Sequence, residues 1–294
     1  MPVASGAWAE PLPSEMLGAA RPARKVDSPI EQLSLTRDNT DYCWYSTVLH
    51  VEDGADGLGT LTLAHAADVV HVFVDGALRA TTPLPLQEDR GELNADGTTQ
   101  RFTLALEPGE RRLDLLACAI GLIKGDWMIG HQNMVDERKG IWGGVAWNDR
   151  PLIGNWSLRP GLMGEVQTAE AAAAWPAPVT ADSGAPLRWW RLVFDRPPGA
   201  QALAADLSGM GKGLAWLNGE CIGRFWSARG EAPSPRVLSA RGALRESGRG
   251  APTQRYYHLP ADWLKDSENV LVLFDETGGD PSSIRICEWT EEPK

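Results

Sequence analysis

The sequence predicts an all-β protein of the antiparallel sandwich type. Short runs of β-branched and aromatic residues recur along its 294 residues, broken by Gly, Pro, Asn and Asp. Helix-forming stretches are scarce by comparison. The strand-like runs are residues 42–51, 69–74, 101–106, 189–194, 213–217 and 269–274. Short strands separated by turn residues at regular intervals are typical of sandwiches and barrels.

Two dipeptides predict tight hairpins. Asp75-Gly76 directly follows the strand-like run VVHVFV, and Asn218-Gly219 directly follows LAWL. Both dipeptides tolerate positive φ, which the two-residue hairpin turn requires. Each strand is therefore expected to pair with the segment that follows its turn.

The order of these signals repeats along the chain. An aromatic-rich strand, an Asx-Gly hairpin and a later apolar strand occur first from residue 43 and again from residue 188. Similar order and spacing indicate two copies of one sandwich. The prediction is an extended arm at residues 1–30, a first module at 31–165, a linker at 166–185 and a second module at 186–294.

Charge and composition exclude several classes of partner. The chain carries 39 acidic and 28 basic residues, a formal charge of −11. Such a chain repels phosphate backbones and anionic lipid surfaces, so neither nucleic acid nor membrane is an expected partner. No apolar run approaches the ~20 residues that span a bilayer. The first residues do not read as a signal peptide, which leaves the localisation open.

The four cysteines do not form a metal-binding pattern. Cys43, Cys118, Cys221 and Cys287 lie far apart, and none belongs to a C-x-x-C pair. Four separate buried thiols are the expectation, and disulfide pairing is left open. The five histidines are likewise scattered.

Several long segments resemble one known family. The segment 31–47, EQLSLTRDNTDYCWYST, and the segment 186–199, PLRWWRLVFDRPPG, are similar to the C-terminal half of plant-type β-galactosidases of glycoside hydrolase family 35. So are DLSGMGKGLAWLNGECIGRFW at 206–226 and the residues 253–284. Segments 116–130 and 154–165 are similar more loosely. The resemblance covers the chain from about Trp8 onward.

The resemblance implies both a fold and a missing activity. In that family a (β/α)-barrel with two catalytic glutamates comes first, and galactose-binding-like jelly rolls follow. This sequence resembles the later part alone, because no alternating strand–helix pattern could build a barrel of ~250 residues. The expectation is two jelly-roll, galactose-binding-domain-like sandwiches to which no catalytic residue is carried over.

Carboxylate pairs are the residues that a hydrolase would need. A retaining glycosidase places two carboxyl groups about 5 Å apart. Asp136-Glu137 and Asp275-Glu276 are adjacent pairs, but neighbours on a strand point to opposite faces. Asp136 and Glu137 could converge with Asp126 and His131 in one loop, although solvated loop residues are the simpler interpretation.

Tryptophan suggests sugar contact. The chain has thirteen Trp but only five Phe and four Tyr, and an indole can pack in a core or stack on a sugar. Polar residues that can bind hydroxyl groups accompany two groups of Trp. The candidate carbohydrate contacts are Trp127, His131, Asn133, Trp142 and Trp147 in the first module, and Arg224 and Trp226 in the second. Packing in the core or between modules is the alternative for each.

The functional prediction is a non-catalytic accessory region of a β-galactosidase-like protein. It would bind galactosides weakly or brace a catalytic barrel, so its partner is a galactose-containing glycan or a β-galactosidase catalytic domain. Two alternatives remain: a stand-alone glycoside hydrolase with a loop-built site, and a scaffold subunit of a split β-galactosidase. No cofactor is expected, and a structural calcium ion near Asp38, Asp41 or Asp280 is left open.

Overall fold

The computed structural model divides the chain into two compact units. The first sandwich is Pro11–Leu162, and the second is Met1–Glu10 together with Met163–Lys294. The described residues include two short α-helices, α1 (Leu33–Thr36) and α2 (Met163–Ala169). The residues described are 4–13, 23–37, 39–52, 57–82, 99–121, 138–169, 185–200, 202–227 and 254–288.

Strands make up most of the described chain. In chain order they are β1 (Ala4–Ala9), β2 (Arg24–Val26), β3 (Tyr42–Val51), β4 (Leu58–Ala67), β5 (Val69–Val74), β6 (Ala77–Thr81), β7 (Gln100–Ala105), β8 (Gly109–Cys118) and β9 (Gly140–Trp147). There follow β10 (Arg150–Pro151), β11 (Trp156–Pro160), β12 (Arg188–Phe194), β13 (Leu203–Asp206), β14 (Lys212–Leu217), β15 (Glu220–Trp226), β16 (Tyr256–Leu259), β17 (Asn269–Asp275) and β18 (Arg285–Glu288). The all-β prediction is confirmed.

The first sandwich consists of two antiparallel sheets in the described residues. One sheet has the order β2-β11-β3-β8-β5-β6, and the other has the order β10-β9-β4-β7. Alternate residues of the longer strands point into a shared apolar core. That core includes Tyr45, Leu49, Leu61, Leu63, Val72, Phe102, Leu115, Val145 and Trp156.

The second sandwich repeats the plan with fewer strands. Its larger sheet has the order β1-β12-β17-β14-β15, and its smaller sheet has the order β16-β13-β18. Its core includes Trp190, Leu192, Phe194, Leu203, Leu217, Phe225, Leu271 and Leu273. Because residues at alternate positions enter the core, Arg191 and Val193 of β12 lie on the outer face of the larger sheet.

Both predicted hairpins are confirmed. Asp75 and Gly76 have φ of 49° and 82°, and they join β5 to its antiparallel neighbour β6. Asn218 and Gly219 have φ of 52° and 94°, and they join β14 to β15. Positive φ at both central residues is the conformation that suits the twist of the flanking strands.

The N-terminal residues are paired with strands far along the chain. Residues 4–9, placed by the sequence within an arm, pair as β1 with β12 at the edge of the second sandwich. Residues 24–26 pair as β2 with β11. The predicted linker starts inside α2, and residues 170–184 lie outside the described residues. The predicted module limits stay a prediction.

The cysteine prediction is right for two positions and wrong for two. All four cysteines are free thiols, and Cys43 and Cys118 are buried. Cys221 is exposed and Cys287 is half-buried. Both of the latter lie in strands, β15 and β18, that are edge strands among the described residues.

Glu10 connects the N-terminal strand to the rest of the second sandwich. Its carboxylate accepts N–H groups from Met163 at 2.6 Å and Gly164 at 3.4 Å, at the start of α2, and from the Trp189 indole at 2.6 Å. Gly164 is required here, because a Cβ would lie 2.1 Å from the Trp189 ring. Burial raises the pKa of Glu10 from 4.5 to about 8, although the three donors oppose this shift.

The buried carboxyl predicts a pH dependence of stability. Because the pKa of Glu10 is higher in the folded state, the folded protein binds more protons than the unfolded chain between about pH 4.5 and pH 8. The contribution of Glu10 to the free energy of unfolding is therefore largest below about pH 4.5, and it is lost as the pH rises to about 8. The substitution Glu10→Gln should remove this pH-dependent contribution to the free energy of unfolding.

Urea unfolding across that pH range, followed by circular dichroism, measures the effect. Wild type should lose more stability with rising pH than Glu10→Gln. Parallel pH profiles for the two proteins would contradict the assignment.

Candidate functional site

Trp142 forms a stacked pair with a histidine on the neighbouring strand. Trp142 of β9 and His65 of β4 are cross-strand partners. Their ring centroids are 5.6 Å apart and their planes are inclined by 9°. Because Ile141, Val145 and Trp147 belong to the core, Trp142 points to the outer face of the sheet, where it is half-buried.

The outer ring face of Trp142 is directed to the edge of the sheet. β10 pairs with β9 at Ala146 and Trp147 only. No other described strand lies beyond β9 at Trp142. The spacing of the two ring centroids is close to that between neighbouring strands, so the rings are stacked across the sheet. One indole face is thus occupied by His65, and the other is turned away from β4.

Two glycines follow Trp142 in β9 and leave space around the stacked rings. Gly143 and Gly144 have φ of 76° and 109°, where the register between β4 and β9 shifts. A Cβ on Gly143 would lie 2.5 Å from Cδ2 of His65, so glycine lets the imidazole lie flat against the indole. A Cβ on Gly144 would meet no atom within 4 Å. We call Trp142, His65, Gly143 and Gly144 the Trp142 platform.

Trp147 does not belong to this surface. It is 5% exposed and packs within the core of the first sandwich. Gly59 leaves room for its ring, because a Cβ there would lie 2.1 Å from the indole. Its ring is covered on the core side of β9. Packing in the core, and not contact with a ligand, therefore accounts for the position of Trp147. Trp127, His131 and Asn133 lie outside the described residues.

Trp226 and Arg224 lie on the outer face of the larger sheet of the second sandwich. Phe225 between them is in the core. The Trp226 ring stands over the Lys212 ammonium at 5.4 Å, and its backbone N–H donates to the Tyr257 hydroxyl at 2.8 Å. Cation–π packing thus accounts for the position of Trp226. Ligand contact by Arg224 and Trp226 stays a prediction.

The neighbouring acidic pair is enclosed by the protein. Glu276 forms an ion pair with Lys212, and both side chains are 1% exposed. Asp275 accepts N–H groups from Gly211 at 2.7 Å, Thr277 at 2.9 Å and Gly278 at 2.7 Å. Burial raises the pKa of Asp275, and these three donors oppose that shift. Each carboxylate therefore fixes local structure, and neither is presented to a substrate.

Asp280 also has a structural role. Its carboxylate accepts the N–H of Ser282 at 3.0 Å and begins the 3-10 helix Pro281–Ser283. Hydrogen bonds from the Ser282 side chain and from its backbone N–H lower the pKa of Asp280. Asp38 lies outside the described residues, so a calcium ion at these aspartates stays a prediction.

Comparison with known proteins gives the relationship. Residues 187–269 match the sequence model of the galactose-binding domain of β-galactosidase. Beta-galactosidase 10 of Arabidopsis thaliana is 31% identical over 284 residues, covering 87% of this chain and 36% of that protein. Beta-galactosidase 8 of the same plant is 30% identical over 283 residues, covering 88% of this chain and 31% of that protein. This chain is related to a part of the plant β-galactosidases.

The chain spans about a third of the length of these relatives. The resemblance that its motifs indicate is confirmed. The segment 187–269 includes Arg224 and Trp226 but not the Trp142 platform. A GH78 family rhamnosidase of Bacillus sp. GL1 aligns with 90% of this chain and 32% of its own at 12% identity. The TM-score of 0.30 is too low to support an argument.

Among the described residues, no helix is long and apolar enough to cross a membrane.

The buried ion pair predicts a large and asymmetric effect of mutation. The substitution Lys212→Met leaves Glu276 buried without its cation, and we expect the free energy of unfolding to fall by about 3–5 kcal/mol. The double substitution Lys212→Met/Glu276→Leu replaces both charges by apolar groups, and it should recover most of that loss. Urea unfolding of both variants provides the measurement. A double variant as unstable as the single one would contradict a desolvated pair.

Proposed function

We propose that this chain is a non-catalytic accessory region of a β-galactosidase-like protein and that it binds galactosides weakly. Two findings support the proposal. One segment matches a family domain described as galactose-binding. Two plant relatives are named β-galactosidases, and the chain corresponds to about a third of each.

The Trp142 platform is the observation that carries the proposal. A pyranose ring has a face of C–H groups that packs against a flat aromatic surface. Trp142 offers such a surface at a sheet edge, and its stack with His65 fixes the ring plane before a ligand arrives. A preorganised ring loses little conformational freedom on binding. The bare backbone at Gly144 leaves space beside the indole for a bulky ring.

Polar groups continue the outer face of this sheet away from the platform. Thr62 of β4 pairs with Arg101 of β7, and both side chains point outward because their neighbours Leu61 and Phe102 are in the core. A hydroxyl and a guanidinium can exchange hydrogen bonds with sugar hydroxyl groups. The sheet thus offers a stacking surface at one edge and hydrogen-bonding groups towards the other.

The enclosed acidic pair argues against the alternative of a stand-alone hydrolase at Asp275 and Glu276. A glycosidase must present both carboxyl groups to the scissile bond. These two side chains are at most 1% exposed and are engaged by Lys212 and by backbone donors. The remaining alternative, a purely bracing or scaffold role, predicts no affinity for free sugar.

The substitution Trp142→Ala tests the platform. Covering roughly 60 Å² of ring with C–H groups contributes about 1.5 kcal/mol, so the dissociation constant for methyl β-galactoside should rise about tenfold. The matched control is Tyr256→Ala, which removes an exposed aromatic ring from β16 of the other sandwich. It should bind as wild type does.

Binding is followed by ligand-observed NMR while free galactose is assayed in the same sample. Saturable binding without release of sugar from lactose, weakened in Trp142→Ala but not in Tyr256→Ala, is the expected result. Release above that of a heat-denatured sample would contradict the non-catalytic assignment. Equal weakening by both substitutions would contradict the platform.

A further inference from the structure

A polar cleft lies on the outer face of the larger sheet of the second sandwich. Its volume is about 550 Å³, and its floor is formed by Val193, Val270 and Arg191. The four consecutive residues 265–268 form its rim. This volume is within the range of sites for small ligands. The Trp142 platform belongs to the first sandwich, so the cleft is a separate surface.

The floor of the cleft follows from the pairing of two strands. Val193 of β12 lies directly opposite Val270 of β17. Their neighbours Leu192 and Leu271 enter the core, which leaves both valines on the outer face. Arg191 is two positions before Val193 and therefore points to the same side. The floor is thus an apolar strip with a guanidinium at one end.

The rim is a turn whose backbone is fixed by hydrogen bonds. Asn269 accepts the N–H of Lys265 through Oδ1 and donates to the Lys265 carbonyl through Nδ2, both at 2.8 Å. Glu268 donates its N–H to Asp195 at 2.9 Å, and Arg196 donates its N–H to the Asp266 carbonyl at 3.1 Å. The turn therefore holds its shape without using the side chains of residues 265–268.

Those side chains are available to a ligand. Lys265, Asp266, Ser267 and Glu268 are exposed. Within the described part of the chain, none of their side-chain heads forms a hydrogen bond or an ion pair with another residue. Lys265 offers a cationic donor, Asp266 and Glu268 offer anionic acceptors, and the Ser267 hydroxyl does both. With Arg191 in the floor, two cations and two anions line the cleft, so it suits a neutral polar ligand better than an acidic one.

We propose that this cleft is a second carbohydrate site, which binds one hexose unit of a neutral galactoside through two neighbouring hydroxyl groups. Lys265 donates to one hydroxyl, Asp266 accepts from the next, and the C–H groups of the ring rest on the valines. The proposal rests on the proposed function, since it assigns a further contact for the same class of ligand. No aromatic ring lines the cleft in the described residues, so its affinity is expected to be lower than that of the platform.

Amide NMR of the whole chain distinguishes the two sites, with methyl β-galactoside as the probe. The amides of Gly143 and Gly144 report the platform, and those of Ser267 and Glu268 report the cleft. The substitution Asp266→Ala removes a charged acceptor and should weaken the response of the cleft about tenfold. Asp262→Ala is the matched control, because it removes the same charge from the exposed 3-10 helix Ala261–Trp263, outside the cleft.

The outcomes separate the two proposals. Shifts at Ser267 and Glu268 that Asp266→Ala suppresses, and that Asp262→Ala and Trp142→Ala leave intact, support the cleft. Shifts at Gly143 and Gly144 alone would overturn the cleft and leave the proposed function standing. Shifts at neither site would overturn both. A stronger response to galacturonate than to methyl β-galactoside would contradict the neutral-ligand assignment.

Discussion

Interior strands of both sandwiches are buried on both faces, and this constraint determines which partners their polar side chains have. All six residues of β5 and all six of β14 are buried. A strand of this kind has no side that faces water, so its polar residues need partners within the protein. His71 Nδ1 lies 2.9 Å from the Thr81 hydroxyl, and Lys212 forms an ion pair with Glu276. These charges and dipoles stabilise the interior and are not free for a ligand.

Ligand contact is therefore expected at the edges of the sheets and in the turns, where side chains are exposed. Trp142 is at the edge of β9, where no further described strand covers its outer ring face. The turn at residues 265–268 comes directly before β17, and its side chains are exposed to solvent. One surface offers stacking and the other offers hydrogen bonds. These are the two kinds of contact that the proposed binding of a neutral galactoside would use.

Local sequence signals predicted the fold class and the hairpins. They did not predict contacts between residues that are distant in the sequence. The hairpins at Asp75-Gly76 and Asn218-Gly219 follow from residues that tolerate positive φ. The pairing of β1 with β12 joins segments about 180 positions apart and has no local signature. The prediction for Trp147 missed a signal that was present: Ile141, Val145 and Trp147 share one face of β9 by their even spacing, while Trp142 has the opposite parity. The cleft was not predicted, because it depends on a turn folding back over a sheet.

A crystal structure of the chain in complex with a β-galactoside is the most direct test of the platform. We expect the C–H face of the sugar to lie against the outer face of Trp142, with the glycosidic bond intact. We also expect Lys212, Asp275 and Glu276 to make no contact with the ligand. A sugar held between two carboxyl groups about 5 Å apart, or found cleaved, would contradict it and would assign catalysis to the sandwiches themselves.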